Sequence, residues 1–208
     1  MPIPQPGEIW EVRRSLESPL EFSSQERQTL FSDAVQNFLA GNSQPRYVMI
    51  VKEPNIEVEE HWLVVDVMLL SVETEFLSNV DLLIPAEISG LSQDLLAETW
   101  HIIPALTCNL LQSHGKRLSR EIYDHLLTIG DYYYRLVDEL PAILKTQSLG
   151  LISGNIDAAK DSTSQNFHQQ EETWSEVLTL PVAAYYTYLD SIKLTNRVLN
   201  EALNLEQD

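Results

Sequence analysis

Four short aliphatic runs constrain this chain most: PRYVMIVKE, HWLVVDVMLLS, NVDLLIPAE and HIIPALTCNLLQSH. Each has the length and the Val/Ile/Leu content of a strand, and Pro54–Asn55, Ser78–Asn79 and Ser89–Gly90 punctuate them as turns. In the last run Leu106, Cys108 and Leu110 alternate with Thr107, Asn109 and Leu111, and Pro104 is expected at its beginning or on a sheet edge. Upstream, GEIWEVRRS alternates Ile9, Glu11 and Arg13 with Trp10, Val12 and Arg14, which predicts a half-buried edge strand. Strands this short and this numerous suit a small, strongly bent barrel.

Helical signals interrupt and follow these strands. SSQERQTLFSDAVQNFLAGN predicts one helix: Ser23 and Glu26 fit a capping box, Gly41 a stop, and Leu30, Ala34, Phe38 with Phe31, Val35, Leu39 an apolar stripe. In SGLSQDLLAETW, Leu91, Leu95 and Leu96 predict a helical turn. LSREIYDHLLTIG predicts a short helix capped by Ser119, with Glu121 in its first turn and Ile122, Leu126 and Ile129 on one face. DYYYRLVDELPAIL predicts a second helical piece ending before Pro141. Residues 146–172 are rich in Ser, Gln, Asn and Asp and read as a linker, and a last helix is expected from Pro181 to about Leu205. The expected class is α+β: a barrel domain over 1–130 with a helical insertion at 24–40, then a helical extension over 131–208 containing the linker.

Charge narrows the function. The chain has 208 residues, with 31 acidic against 13 basic and a formal net charge of -18. That balance opposes a long nucleic-acid footprint, whose affinity comes largely from neutralised phosphates, and leaves room for a short local site. The longest apolar runs fall far below the roughly 20 residues of a membrane span. MPIPQPGEIW has neither the basic region nor the apolar core of a secretory signal, so a cytoplasmic protein without membrane contact is expected. Cys108 is the lone cysteine and reads as a buried thiol.

His61, His101, His114, His125 and His168 show no compact metal-ligand spacing, so neither a metal nor another cofactor is expected. Glu57, Glu59 and Glu60 beside His61 raise the pKa expected for it, and with Glu53 they read as a solvated loop. No Gly-x-Ser-x-Gly elbow and no phosphate-cradling glycine loop is present. Tyr185, Tyr186 and Tyr188 fall on more than one face of the last helix, some for the barrel and others for a partner, within the chain or in a second copy.

The order of segments resembles a known family. PGEIWEV is similar to the opening Gly-[Asp/Glu]-[Ile/Val]-Trp strand of MazF/PemK toxin ribonucleases, and PRYVMIV to their Arg-Pro-x-[Leu/Val]-[Val/Ile] strand. WLVVDVMLLS resembles the strand that ends in a Thr-Ser pair, and TCNLLQSHGKRLSREIYDHLL the closing strand, turn and helix. The resemblance covers residues 6 to about 129 and implies the SH3-like barrel that this family shares with the gyrase poison CcdB.

It also implies a metal-independent endoribonuclease of a type II toxin–antitoxin pair, in which Arg46 and Ser71 are the candidate catalytic residues. In such chemistry the RNA 2'-OH attacks phosphorus, and a preorganised cation stabilises the charge that develops on the non-bridging oxygens. Lys116 and Arg117 are candidates to flank the phosphate path. Implied partners are single-stranded RNA, a cognate antitoxin and a second copy in a homodimer. The chain departs from the pattern at Tyr47, where the family has Pro, at Leu70, where it has Thr, and in the inserted helix. Those departures, with the acidity and the long tail, support a second expectation: a non-catalytic interaction module on the toxin fold. A tail folded back over the groove, as a built-in antitoxin, is a third. Arg46 itself could instead be an edge residue paired with Glu53 or another carboxylate.

Overall fold

The aliphatic runs pair into one antiparallel sheet in the computed structural model, which describes residues 3–54, 62–139 and 160–205. Its strands are β1 (Ile9–Val12), β2 (Tyr47–Lys52), β3 (Val64–Ser71), β4 (Asp81–Ile84), β5 (Leu95–Leu106) and β6 (Leu110–His114), in the order β4-β5-β3-β2-β1-β6. The class is α+β, as expected. Among the described residues β4 and β6 do not pair with each other, so the sheet is open where a closed barrel was predicted.

The run HIIPALTCNLLQSH, expected as one strand, contains the second half of β5 and all of β6. A 3-10 turn at Thr107–Asn109 separates them, and the chain crosses from one side of the sheet to the other. Asn109 pins this crossing: its side chain accepts from the Glu17 backbone N–H at 2.7 Å and donates to the Glu17 carbonyl at 3.0 Å. Because β6 returns beside β1, β1 is an interior strand and not the predicted edge, which is why Ile9 and Trp10 are both buried. Pro104 does lie on an edge, since β4 covers β5 only over Leu95–Glu98. Leu95 and Leu96 open β5 instead of forming a helical turn; the short helix α3 lies earlier, at Ala86–Ser89.

Strand alternation divides the core between the two faces of the sheet. Met49, Met68 and Leu70 pack with Leu126 and Ile129 of α4 (Arg120–Tyr133). Val48, Ile50, Val67 and Leu69 pack on the other face with Val35 and Phe38, and with Trp174, Val177 and Leu178 of the tail helix. The predicted insertion helix is two, α1 (Ser24–Leu30) and α2 (Asp33–Leu39), because Ser32 restarts the helix by accepting from the Val35 N–H. Residues 131–133 continue α4 and are followed by turns, so they do not begin a separate helix; residues 140–159 lie outside the described set.

The tail differs most from expectation. Residues 162–172, read as linker, form the first turns of α5 (Ser162–Leu205), a helix of 44 residues with Pro181 in its interior. Its starting turn is set by Asp161, whose carboxylate accepts from the Ser164 N–H at 2.7 Å. Phe167, Glu171, Trp174 and Leu178 recur at helical spacing and are all buried, a stripe concealed by polar neighbours. The part of the predicted linker before residue 160 lies outside the described residues.

α4 approaches β5 closely through Gly130. A Cβ there would stand 2.6 Å from the Thr99 carbonyl oxygen. Ala is normally the better helix residue by about 1 kcal/mol. Here overpacking reverses the sign, and Gly130→Ala is expected to lower the unfolding free energy by about 2 kcal/mol, read from the urea midpoint.

Candidate functional site

The site begins with an irregularity in the β3–β5 ladder. Met68 pairs with Ile102, and Leu70 with Ala97, so Leu69 alone stands opposite Glu98, Thr99, Trp100 and His101. Such a bulge redirects side chains. All four bulged residues are buried, and they bring polar groups into the layer between β5 and α5. Two hydrogen bonds tie this stretch to its surroundings: Tyr134 Oη donates to the Trp100 carbonyl, and Thr99 Oγ1 donates to the Val80 carbonyl at 2.5 Å.

Arg46 enters from the segment before β2, where its carbonyl accepts from the Val12 N–H at 2.9 Å. Its Nη1 donates to both carboxylate oxygens of Glu171 on α5, each at 2.8 Å. Its guanidinium also lies 4.7 Å from the centre of the Trp174 ring. Glu171 is buried, while Arg46 keeps part of its side chain at the surface. That open side borders a cleft of about 540 Å³ lined by Gln44, Arg46, Glu73, Glu75 and Gln93. The carboxylates on its wall make it unfavourable to phosphate.

Deeper in, Glu98 Oε2 lies 3.2 Å from His101 Nδ1. The Trp100 ring stacks on His101 at 4.5 Å and meets the tilted His168 ring at 4.1 Å, and its Nε1 donates to Asp81 at 3.2 Å. The other Asp81 oxygen accepts from the Ser78 N–H at 3.0 Å and from its hydroxyl.

Burial dominates the electrostatics. It pushes Glu98 well above the usual carboxylate range, and the neighbouring Glu171 and Asp81 carboxylates add to the effect while Arg46 opposes it. Asp81 rises to about 6 for the same first reason, against its hydrogen bonds from Ser78 and Trp100. His101 falls to about 4 through burial and the presence of His168, and burial also lowers His168. Both imidazoles are therefore neutral at pH 7. Acidic groups and imidazoles collect here, yet among the described residues no three His, Cys, Asp or Glu groups could hold a metal ion.

The residues expected from the sequence are only partly gathered. The register that pairs Tyr47 with Leu70 brings Arg46 and Ser71 to the same end of the sheet. Ser71 is fully buried, however, and its hydroxyl accepts from the Glu73 N–H at 3.1 Å, which is a turn contact. Lys116 and Arg117 sit at the opposite end of β1. Arg117 donates to the Pro6 carbonyl at 2.7 Å and Lys116 to the Glu87 carbonyl at 3.4 Å, so they do not join Arg46 in one phosphate path. Arg46 is paired with a carboxylate, supplied by Glu171 and not by Glu53. His61 and Glu57, Glu59 and Glu60 lie outside the described residues. Cys108 is buried, and burial pushes its thiol up to about 11.

Glu98, His101, His168, Glu171 and Trp174 were absent from the expected site. For Glu98 and His101 the sequence signal is the polar ETWH interruption between two aliphatic runs; His168, Glu171 and Trp174 lie on the tail helix and have no such signal. Comparison of the chain with protein-family models and with curated proteins gives no match.

Removing the cation leaves buried carboxylates without a partner. Arg46→Met is expected to cost about 3 kcal/mol at neutral pH, and the paired replacement Arg46→Met with Glu171→Leu should recover most of that loss. Urea denaturation of both variants beside the wild type checks this.

Proposed function

We propose that this chain is a toxin-fold protein of the MazF/PemK type, held in a non-catalytic state by its own C-terminal helix. The observation that carries the reading is the two-oxygen grip of Glu171 on Arg46. A carboxylate seated this way takes the place that phosphate oxygens need on a catalytic guanidinium. Trp174 covers the face of the same group.

Support for the toxin fold comes from topology. β6 returns beside β1 through a 3-10 turn, the run β6-β1-β2-β3-β5 is antiparallel throughout, and α4 follows behind its Ser119 cap. These are the connections that an SH3-like barrel requires, with β4 and the α1–α2 insertion as additions. Support for the non-catalytic state comes from chemistry. Leu70 is buried in place of the family's threonine, and the Ser71 hydroxyl holds a turn. Partners in this reading are proteins, including a second copy, that engage the acidic surface or the tail. No described helix is long and apolar enough to cross a membrane.

One observation favours a second reading, a latent endoribonuclease that acts once α5 lifts. Arg46, Glu98 and His101 lie in one buried cluster, and together they supply a charge stabiliser and two proton-transfer groups. The family's single-stranded RNA would be the substrate and no metal would be needed.

Incubation of the purified full chain with single-stranded RNA is expected to leave the RNA intact. Cleavage by the wild type that disappears in Arg46→Ala overturns the non-catalytic reading. Cleavage that emerges only when Glu171→Ala and Trp174→Ala loosen α5, and that again needs Arg46, establishes the latent enzyme.

A further inference from the structure

The layer between β5 and α5 contains more negative charge than it can hold. Asp81, Glu98 and Glu171 face it with Arg46 as their cation, so full ionisation leaves two negative charges unbalanced (three minus one) beside neutral imidazoles. Asp81 has donors for its charge in Ser78 and Trp100. Glu171 has both Arg46 contacts. Glu98 lacks such support: Oε2 touches His101, and Oε1 is buried with no hydrogen-bond partner. A proton relieves that position, because it turns a repelled oxygen into a donor beside the Glu171 carboxylate.

We propose that α5 is a reversible cover whose docking on β5 takes up a proton into the Glu98–Glu171 carboxyl pair. This rests on the reading of α5 as the cover of Arg46, and it does not depend on catalysis. When α5 lifts, Glu171 departs and water reaches Glu98, which then ionises in the ordinary carboxylate range and releases the proton. Two further buried atoms favour reversibility. His168 Nε2 and Trp174 Nε1, both on α5, have no hydrogen-bond partner in the docked state. Water would satisfy both on release, so α5 docks less tightly than its apolar stripe alone would allow.

The direction follows from linkage. Glu98 binds its proton more tightly when docked, so its contribution to docking is complete below the free glutamate range and declines as pH rises through the raised value. Around the pair stand His168 from α5, Asp81 from β4, His101 from β5, and Arg46 ahead of β2. Asp81 acts in the same sense as Glu98, over the interval up to about 6. His101 and His168 act oppositely, because docking keeps them neutral. Their contribution is complete above about 6.5 and is lost as pH falls, for His101 through about 4. Docking is therefore firmest in mild acid and loosens toward alkaline pH.

The test uses the full chain without RNA. Hydrogen-exchange protection of α5 amides is followed from about pH 6 to about pH 9, with α4 amides of the same sample as reference. Wild-type α5 protection is expected to fall relative to α4 by up to tenfold per pH unit while Glu98 is protonated in the docked state and ionised in the lifted one, and to level off once docked Glu98 itself ionises. Glu98→Gln, which keeps the proton's donor capacity without the charge, should keep α5 protected and remove the slope. A flat wild-type profile, or a slope that survives in Glu98→Gln, overturns the proposal. Should Glu98→Gln not fold, wild-type infrared spectra decide: a protonated-carboxyl band at neutral pH that fades as pH rises supports the proposal, and its absence overturns it. RNA assays at the same pH values separate the readings. A pH-linked α5 with intact RNA throughout keeps the cover and removes the latent enzyme. Wild-type cleavage together with flat α5 protection removes both the pH-linked cover and the non-catalytic reading.

Discussion

The contact between Arg46 and Glu171 organises the whole arrangement, because it joins the sheet to a helix more than a hundred residues later in the chain. An ion pair between a buried carboxylate and a half-buried guanidinium adds little net stability over apolar packing of the same shape, since desolvation offsets most of the attraction. What it adds is position. α5 would bury Phe167, Val177 and Leu178 over a range of small rotations and slides. Both Glu171 oxygens reach Nη1, with Trp174 over the guanidinium, at one setting of the helix. Trp174 extends the same fixing to α2, where it meets Phe38 edge-on at 5.4 Å.

The bulge in β5 is the second half of this design. A regular ladder would have given each β3 residue one partner, whereas the bulge changes which positions of β5 face α5, from Leu96 against Phe167 before it to Ile103 and Ala105 in the Trp174 cluster after it. Four residues opposite Leu69 instead place Glu98, Trp100 and His101 in a closed layer. α4 secures the back of that irregularity through the close approach of Gly130 and the Tyr134 hydroxyl. The broken ladder is thus supported by contacts from the opposite face, and its polar groups lie in the layer that α5 covers.

Much of the strand content was readable because aliphatic runs with turn punctuation declare themselves locally. Tyr47–Lys52, Val64–Ser71 and Asp81–Ile84 fall within the predicted segments, and Ser119 caps its helix as its position implies. The errors share a physical origin. β1 is interior only because β6 returns to it, a long-range fact that alternation in GEIWEV does not contain. The beginning of α5 was hidden because two of its interface positions, Ser164 and Glu171, are polar, and composition alone marked the segment as linker. Arg46 was found by resemblance, whereas its partner was not: a buried carboxylate looks the same in sequence as a solvated one.

Acidity and cover act in the same direction. In the docked state Arg46 faces a carboxylate, Lys116 and Arg117 are held by backbone carbonyls at the far end of β1, and a formal net charge of -18 surrounds them. At physiological ionic strength screening limits that field to about 8 Å, so the net charge alone would not bar a short contact with one phosphate. The local carboxylate is therefore the decisive barrier. Glu171 and a phosphodiester each carry a single negative charge, so the two compete for the same guanidinium. Exchange between tail and ligand is then set by which of them better replaces the apolar contacts of Phe167 and Trp174, and those two side chains, more than the ion pair, determine how firmly the cover stays in place.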